Sequence, residues 1–209
     1  KFKKSTAKTR FKSKRDHVLE VASECFLKQG FDGTSINVMA RDAGISKESI
    51  YRYFGSKEDL FLAVVELELD AYLKGMQATA SDYQNQSLED ALFHVAEAAM
   101  TVLADDRAMA LRQLIFQMAA RGSKIGAAYY DEGPMEAYRN LKLIFDYHRP
   151  KLQLETDLSS EKLSRYFLSM ILHSTTLERE CGVLKKLGKR KLENRCHEAV
   201  KDFMEVFLG

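Results

Sequence analysis

The stretch Thr34 to Leu60, TSINVMARDAGISKESIYRYFGSKEDL, sets two short helical patterns on either side of a glycine turn. Ile36, Met39 and Ala40 give one apolar spacing, Ile50, Tyr51 and Phe54 give the next, and Ala43-Gly44-Ile45 lies between them. Gly44 carries no Cβ and can take φ > 0, so the chain can reverse there within a few residues. Ser46 stands where an N-cap belongs, its hydroxyl able to accept from an orphan backbone N–H of a helix beginning at Lys47. Such a unit crosses two helices steeply and can lay the second in a DNA major groove. The inward residues Ile36, Met39, Ala40, Ala43, Ile45, Ile50 and Phe54 would hold the angle. Lys47, Glu48, Ser49, Tyr51, Arg52 and Tyr53 remain outward. Lys and Arg neutralise phosphate, Ser and Tyr hydroxyls bond to phosphate oxygens, and Arg can bind guanine O6 and N7 together. Taken as composition alone, the same pattern also suits a solvated amphipathic helix pair in any helical domain.

Thr34-Ser35-Ile36, Met39-Ala40, Ala43 to Lys47, Ile50 to Phe54, Lys57 and Leu60 together resemble the N-terminal signature of the tetracycline-repressor (TetR) family, T-[ST]-[VI]-x-x-[IM]-A-x-x-A-G-[VI]-S-x-x-x-[LI]-Y-x-[YH]-F-x-x-K-x-x-L. With Phe26, Gly30 and Phe31 the resemblance covers about residues 15 to 62. It implies phosphate or sugar contacts from Thr34, Ser35, Ser46, Ser49, Tyr51, Tyr53 and Lys57, with Lys47, Glu48 and Arg52 nearest the base edges. Glu48 departs from the family, which often carries Gly or Ala there. A carboxylate among phosphates is repelled unless it accepts from a cytosine N4 amine.

The rest of the chain reads as helix. It has 209 residues, 45% of them apolar, enough for a sizeable core, and only two prolines, Pro134 and Pro150. No Asn-Gly or Asp-Gly signal sits between alternating apolar runs, so the expected class is all-α. The expected order is a basic arm over residues 1–14, a three-helix DNA-binding domain with helix-turn-helix over 15–60, and a helical ligand-binding and dimerisation domain over 61–209.

Residues 1–60 hold 13 Lys or Arg against 8 Asp or Glu, whereas residues 61–209 hold 19 against 22. The basic surplus therefore travels with the reader, most of it from Lys1 to Arg15. That arm lacks a helical apolar period and is expected to be disordered when free. It reads either as a groove or phosphate-binding extension or as a solvating tail. No run of 18 apolar residues occurs and no signal-peptide core follows the charged start, so a cytoplasmic protein with no membrane partner is expected. Cys25, Cys181 and Cys196 lack C-x-x-C spacing; neither a disulfide framework nor a metal site is indicated, and redox sensing through Cys181 and Cys196 is the alternative to inert thiols.

Helix one is expected from Asp16 to Gln29 with Gly30 as its stop, helix two from Ser35 to Asp42, helix three from Lys47 to Tyr53, and helix four from Lys57 to about Tyr83. Leu60, Phe61, Val64, Val65, Leu67 and Leu69 make helix four apolar on two sides. Ser87 and Asp105 open the next two helices, Gly133-Pro134 interrupts a third helical stretch, and Pro150 closes it. Tyr129-Tyr130-Asp131-Glu132-Gly133-Pro134 resembles an F-Y-x-x-G-P element of the AefR-like branch of the same family.

Two strong helices end the chain, Ser160 to Cys181 and Lys191 to Leu208. The resemblance implies that they pair with their twofold mates in a four-helix bundle, with Leu163, Tyr166, Phe167, Met170, Leu177, Ala199, Val200, Phe203 and Phe207 at the interface of a homodimer. Packing within one chain is the alternative. A helical domain rich in Met and aromatics can also enclose an apolar ligand cavity. Candidates are Phe93, Met100, Phe116, Met118, Tyr129, Tyr130, Phe145, His148, Met170 and His173, though each reads more readily as ordinary core or interface. The expected partners are double-stranded DNA and a small apolar or amphipathic effector.

His17, His94, His148, His173 and His197 all fall on expected helices, and no H-E-x-x-H, G-x-S-x-G or glycine-rich phosphate loop occurs, so neither catalysis nor a cofactor is expected. The function expected is a ligand-responsive repressor binding a palindromic operator as a dimer. The rival is a helical interaction module that has lost sequence-specific DNA binding.

Overall fold

Serine and aspartate caps punctuate the chain into helices. In the computed structural model, which describes residues 13–80, 82–152 and 157–208, these are α1 (Lys14–Gly33), α2 (Ile36–Asp42), α3 (Lys47–Phe54), α4 (Lys57–Ala80), α5 (Leu88–Ala104), α6 (Asp106–Ala120), α7 (Ile125–Glu132), α8 (Pro134–Leu152), α9 (Ser160–Glu180) and α10 (Lys189–Phe207). A 3₁₀ turn spans Tyr83–Asn85. Ser13, Ser46, Ser56, Ser87 and Ser159 each accept from the backbone N–H three residues on, and Asp105 accepts from Arg107 and Ala108. Each such cap satisfies donors that a helix start leaves open. Among the described residues there is no strand, and no helix is long and apolar enough to cross a membrane.

The chain divides into two compact units, Lys1–Glu66 and Leu67–Gly209. In the first, α1, α2, α3 and the opening turns of α4 surround Val18, Leu19, Phe26, Met39, Ile50, Leu60, Phe61 and Val64, all buried. Phe61, Val64 and Val65 belong to this core, so the unit extends past residue 60. Leu67, part of the apolar run of α4, is 47% exposed. Most of the basic arm lies outside the described residues.

α1 overruns its expected end. Gly30 takes φ 71° and ψ 174°, a break that only glycine adopts cheaply, after which one more turn runs to Gly33. Thr34 serves that break. Its hydroxyl donates to Gly30 O at 2.7 Å with Cys25 O at 3.1 Å, and the residue is buried. Thr34 is therefore corrected from a phosphate contact to a structural residue, because its one donor proton is consumed inside the unit. Thr34→Val should cost about 1–2 kcal/mol of stability for the lost hydrogen bond. At temperatures where the unit stays folded, DNA affinity should be unchanged; an equal loss of affinity on every sequence would restore the phosphate contact.

In the second unit α5, α8, α9 and α10 enclose one core, with Leu92, Met100, Leu141, Phe145, Leu163, Phe167, Cys196 and Phe203 at its centre. Phe203 lies 5.0 Å from the rings of Phe167 and Phe207 and 5.8 Å from Phe145. Leu163, Phe167, Val200 and Phe203, expected at a dimer interface, are instead buried inside their own chain. On α9 and α10 the large apolar side chains that stay exposed include Tyr166, Met170, Leu177 and Val206. Ala199 and Phe207 are half-buried, and Tyr166 stacks on Phe207 at 5.5 Å. Pro150, expected to end its helix, sits inside the last turn of α8, where the missing N–H costs a single bond near a terminus. Burial pushes the Cys196 thiol up to about 12 and also raises that of Cys25, so both stay protonated at neutral pH, which argues against a reactive thiolate at Cys196.

Candidate nucleic-acid interface

The turn between α2 and α3 is closed by its own backbone. Gly44 takes φ 65°, its N–H donates to Arg41 O at 3.1 Å, and the N–H of Ile45 donates to Ala40 O at 3.0 Å. Those two bonds form the Schellman arrangement, which needs a left-handed residue at Gly44 and satisfies the carbonyls that α2 would otherwise leave open. Ser46 then starts α3 at once, accepting from Ser49 N at 3.2 Å. Met39, Ala40, Ala43, Ile50 and Phe54 are buried beneath the turn. The angle between α2 and α3 is thus fixed by both hydrogen bonds and packing.

The opposite face of α3 carries the chemistry. Ser46, Lys47, Glu48, Tyr51, Arg52 and Tyr53 are exposed, and Ser35, Ser49 and Lys57 are half-buried. Ser46 Oγ lies 3.0 Å from Ser49 Oγ, which accepts from Arg52 Nη2 at 3.3 Å, so a hydroxyl chain steadies the guanidinium. Arg52 lies 5.7 Å from the Tyr53 ring, and Lys47 Nζ lies 5.7 Å from the ring of Tyr51. These cation–aromatic contacts preorganise long side chains that would otherwise lose rotamer freedom on binding. Lys57 sits 4.6 Å over the Phe31 ring at the start of α4, and burial lowers its pKa.

Sequence reasoning missed Arg15, whose guanidinium stands 5.0 Å from the ring of Phe54 at the end of α3. In the sequence Arg15 stands in a basic run, and its place in the first turn of α1, just after the Ser13 cap, is the signal that sets it apart. All the expected contact residues except Thr34 are at least partly exposed on this first unit.

The second unit holds a cavity of about 1050 Å³ lined by α5, α6, α7, α8 and α9. Phe116, Tyr129, Tyr130, Met170 and His173 line it as expected. Phe93, Met100, Met118, Phe145 and His148 do not. Met100 and Phe145 are spent in the core, Met118 is buried, Phe93 stacks on His197 at 4.2 Å, and His148 Nε2 is 3.1 Å from Tyr83 O. Arg112 and Glu180 also line the cavity and were missed. The signal was Arg112 standing at helical spacing with Met109 and Phe116 on an otherwise apolar face. At Gly126, where α6 and α7 meet, an added Cβ would lie 2.6 Å from Ala119 Cβ, so glycine sets how closely these two walls approach.

Residues 18–64 match the bacterial regulatory proteins of the tetR family, and residues 90–207 match the C-terminal domain of AefR-like transcriptional repressors. The HTH-type transcriptional regulator AcrR of Shigella flexneri is 31% identical over 112 residues, 49% of this chain and 47% of that protein. RutR of Escherichia coli K12, also an HTH-type transcriptional regulator, is 37% identical over 71 residues, 34% of each chain. The chain thus spans about half the length of the first relative and about a third of the second. Among solved structures, one from Mesorhizobium loti MAFF303099 superposes with a TM-score of 0.82 at 24% identity, covering 94% of this chain and 97% of that one. The Flavonoid-responsive Regulator FrrA superposes with a TM-score of 0.74 at 26% identity, covering 93% and 97%. With the glycine-pivoted reader in its first unit and the AefR-like match over most of its second, the chain belongs to the TetR family of bacterial regulatory proteins.

Proposed function

We propose that this protein is a transcriptional regulator that binds a palindromic operator as a homodimer and is released from it by an effector entering the cavity of the second unit. The observation that carries the reading is the outward face of α3, where an arginine, a lysine and two tyrosines are displayed beside the exposed N-cap Ser46 and half-buried Ser49, on a helix held by the Gly44 turn. An α-helix bearing donors of this kind matches the width and acceptor pattern of the major groove. Lys57, at the start of α4, and Ser35, at the start of α2, supply phosphate contacts on either side. Glu48 sits at the second position of α3 and accepts from a cytosine N4 amine.

The homodimer rests on the apolar residues Tyr166, Met170, Leu177 and Val206, which the protomer leaves outward on two neighbouring helices. Twofold pairing would present two copies of α3 to half-sites about 34–36 Å apart, or a multiple of that. The effector-response part is supported by the mostly apolar cavity and by likeness to a regulator named for its response to a small molecule. An effector favours release only by its preference for the unbound conformation, and reversing a 99:1 ratio takes about 5.5 kcal/mol. Such a protein works in the cytoplasm, where its DNA lies.

Selection from random-sequence duplexes at modest salt should enrich a palindrome. Arg52→Ala should then weaken binding by about 1–3 kcal/mol and relax preference at one base position; equal loss on every sequence would leave Arg52 a phosphate contact. Exposed Glu48 on the reading face favours a second reading, an interaction module without operator binding. Failure to enrich any palindrome would select it.

A further inference from the structure

We propose that the effector is an uncharged aromatic molecule carrying a phenolic hydroxyl, recognised by Arg112 and Glu180 at the polar end of the cavity. The proposal rests on the reading of that cavity as the effector site. Arg112 Nη2 lies 3.3 Å from Glu180 Oε1, a loose contact for an ion pair, and Arg112 Nε is buried with no hydrogen-bond partner among the described residues. The Phe116 ring lies 4.9 Å from the guanidinium. Tyr129 stands at the same end, its ring 6.1 Å from Phe116 and at a steep angle to it. Burial, reinforced by Glu180 and opposed by Arg112, raises the Tyr129 phenol, which therefore stays a neutral donor. The remaining wall is largely apolar, from Leu103, Leu168, Leu172 and Pro134.

Arg112 and Glu180 together carry no net charge but expose one donor set and one acceptor set side by side. A ligand carboxylate must displace Glu180 or sit against it, and a ligand cation meets Arg112; either loses its hydration without a free counter-charge. A hydroxyl fits both partners at once, its oxygen accepting from Arg112 and its proton donated to the Glu180 carboxylate. An aromatic hydroxyl is the more acidic donor, and charge-assisted O–H···O⁻ bonds are about twice as strong as neutral ones. The rings of Phe116, Tyr129, Tyr130 and Tyr138 around the cavity favour an aromatic body through offset and edge-on packing.

The test is calorimetric titration of the full-length chain with three stilbenes that share one apolar body: 4-hydroxystilbene, its methyl ether and stilbene-4-carboxylate. The phenol should bind about tenfold or more tightly than either of the others, the span expected for one hydrogen bond to a charged group. Glu180→Gln, with its fold verified by circular dichroism, should abolish the preference for the phenol over the ether. It should also make the carboxylate the tightest ligand, since Arg112 then lacks a counter-charge. Leu172→Trp, which fills the cavity from its apolar side, should weaken all three. Equal binding of the three probes, lost in Leu172→Trp, would overturn hydroxyl recognition while leaving the cavity as the effector site. Binding of none, or binding indifferent to Leu172→Trp, would overturn both.

Discussion

Phe61→Ala is expected to lower the stability of the N-terminal unit by about 3–5 kcal/mol, the range for truncating a fully buried phenylalanine. Phe61 has no exposed surface, and its ring packs at 4.9 Å against Phe26 and 5.6 Å against Phe31. Phe26 and Phe31 both come from α1, so the three rings fasten the first turns of α4 to the helix that carries the reader. A loss of that size is a large share of a stability typically about 5–15 kcal/mol. Hydrogen exchange over residues 14–66 should accelerate, and operator binding should fall with the folded fraction. Phe61→Leu, which keeps most of the volume, should be far milder. Equal exchange in wild type and Phe61→Ala would mean that α4 does not help hold the reader together.

Phe203→Ala should have an effect of similar size in the second unit, about 3–5 kcal/mol. The position separates two accounts of α10. At a dimer interface the truncation would raise the dissociation constant and leave the protomer's own stability intact. At the centre of the protomer's core it destabilises the fold whatever the protein concentration. The contacts with Phe145, Phe167 and Phe207, and the absence of exposed surface, argue for the second. Denaturant midpoints measured at high and at dilute protein concentration should both fall by the same free energy. A loss that appears only on dilution would return Phe203 to the interface.

These two residues illustrate what is legible in a sequence of this kind. The Gly44 turn was readable because the Schellman closure needs a particular residue at a particular offset, and Ser46 follows it with a cap. Ser87 and Asp105 were readable for the same reason. Fold class followed from apolar periodicity without hairpin signals. Helical periodicity, however, marks an apolar residue without saying whether its cover comes from the same chain or from another. Phe203 and Val206 look alike in a helical pattern, yet one is buried and the other 69% exposed. Phe167 and Met170 differ in the same way.

Polar residues failed in the opposite direction. Thr34 sits in a motif whose other hydroxyls face outward, but the break at Gly30 leaves carbonyls that its side chain must serve, a demand set by a φ angle rather than by composition. A lone Arg112 gives little sign in the sequence that it lines a cavity, because an isolated charge is usually solvent-facing. Its partner Glu180 lies far along the chain at the end of α9, and only the tertiary fold brings the two side chains together. Ion pairs across such separations leave no local trace.

On the proposed function α3 enters the major groove twice, from one face of a palindrome. Methylation interference on the selected operator tests it most directly, because a methyl group on guanine N7 projects into the major groove at the atom an arginine would contact. Two clusters of interfering guanines should appear, one helical turn or a whole multiple of it apart, and the cluster should vanish at the base assigned to Arg52 in Arg52→Ala. Binding that tolerates N7 methylation throughout the site, or that is blocked at a single unpaired cluster, would contradict it.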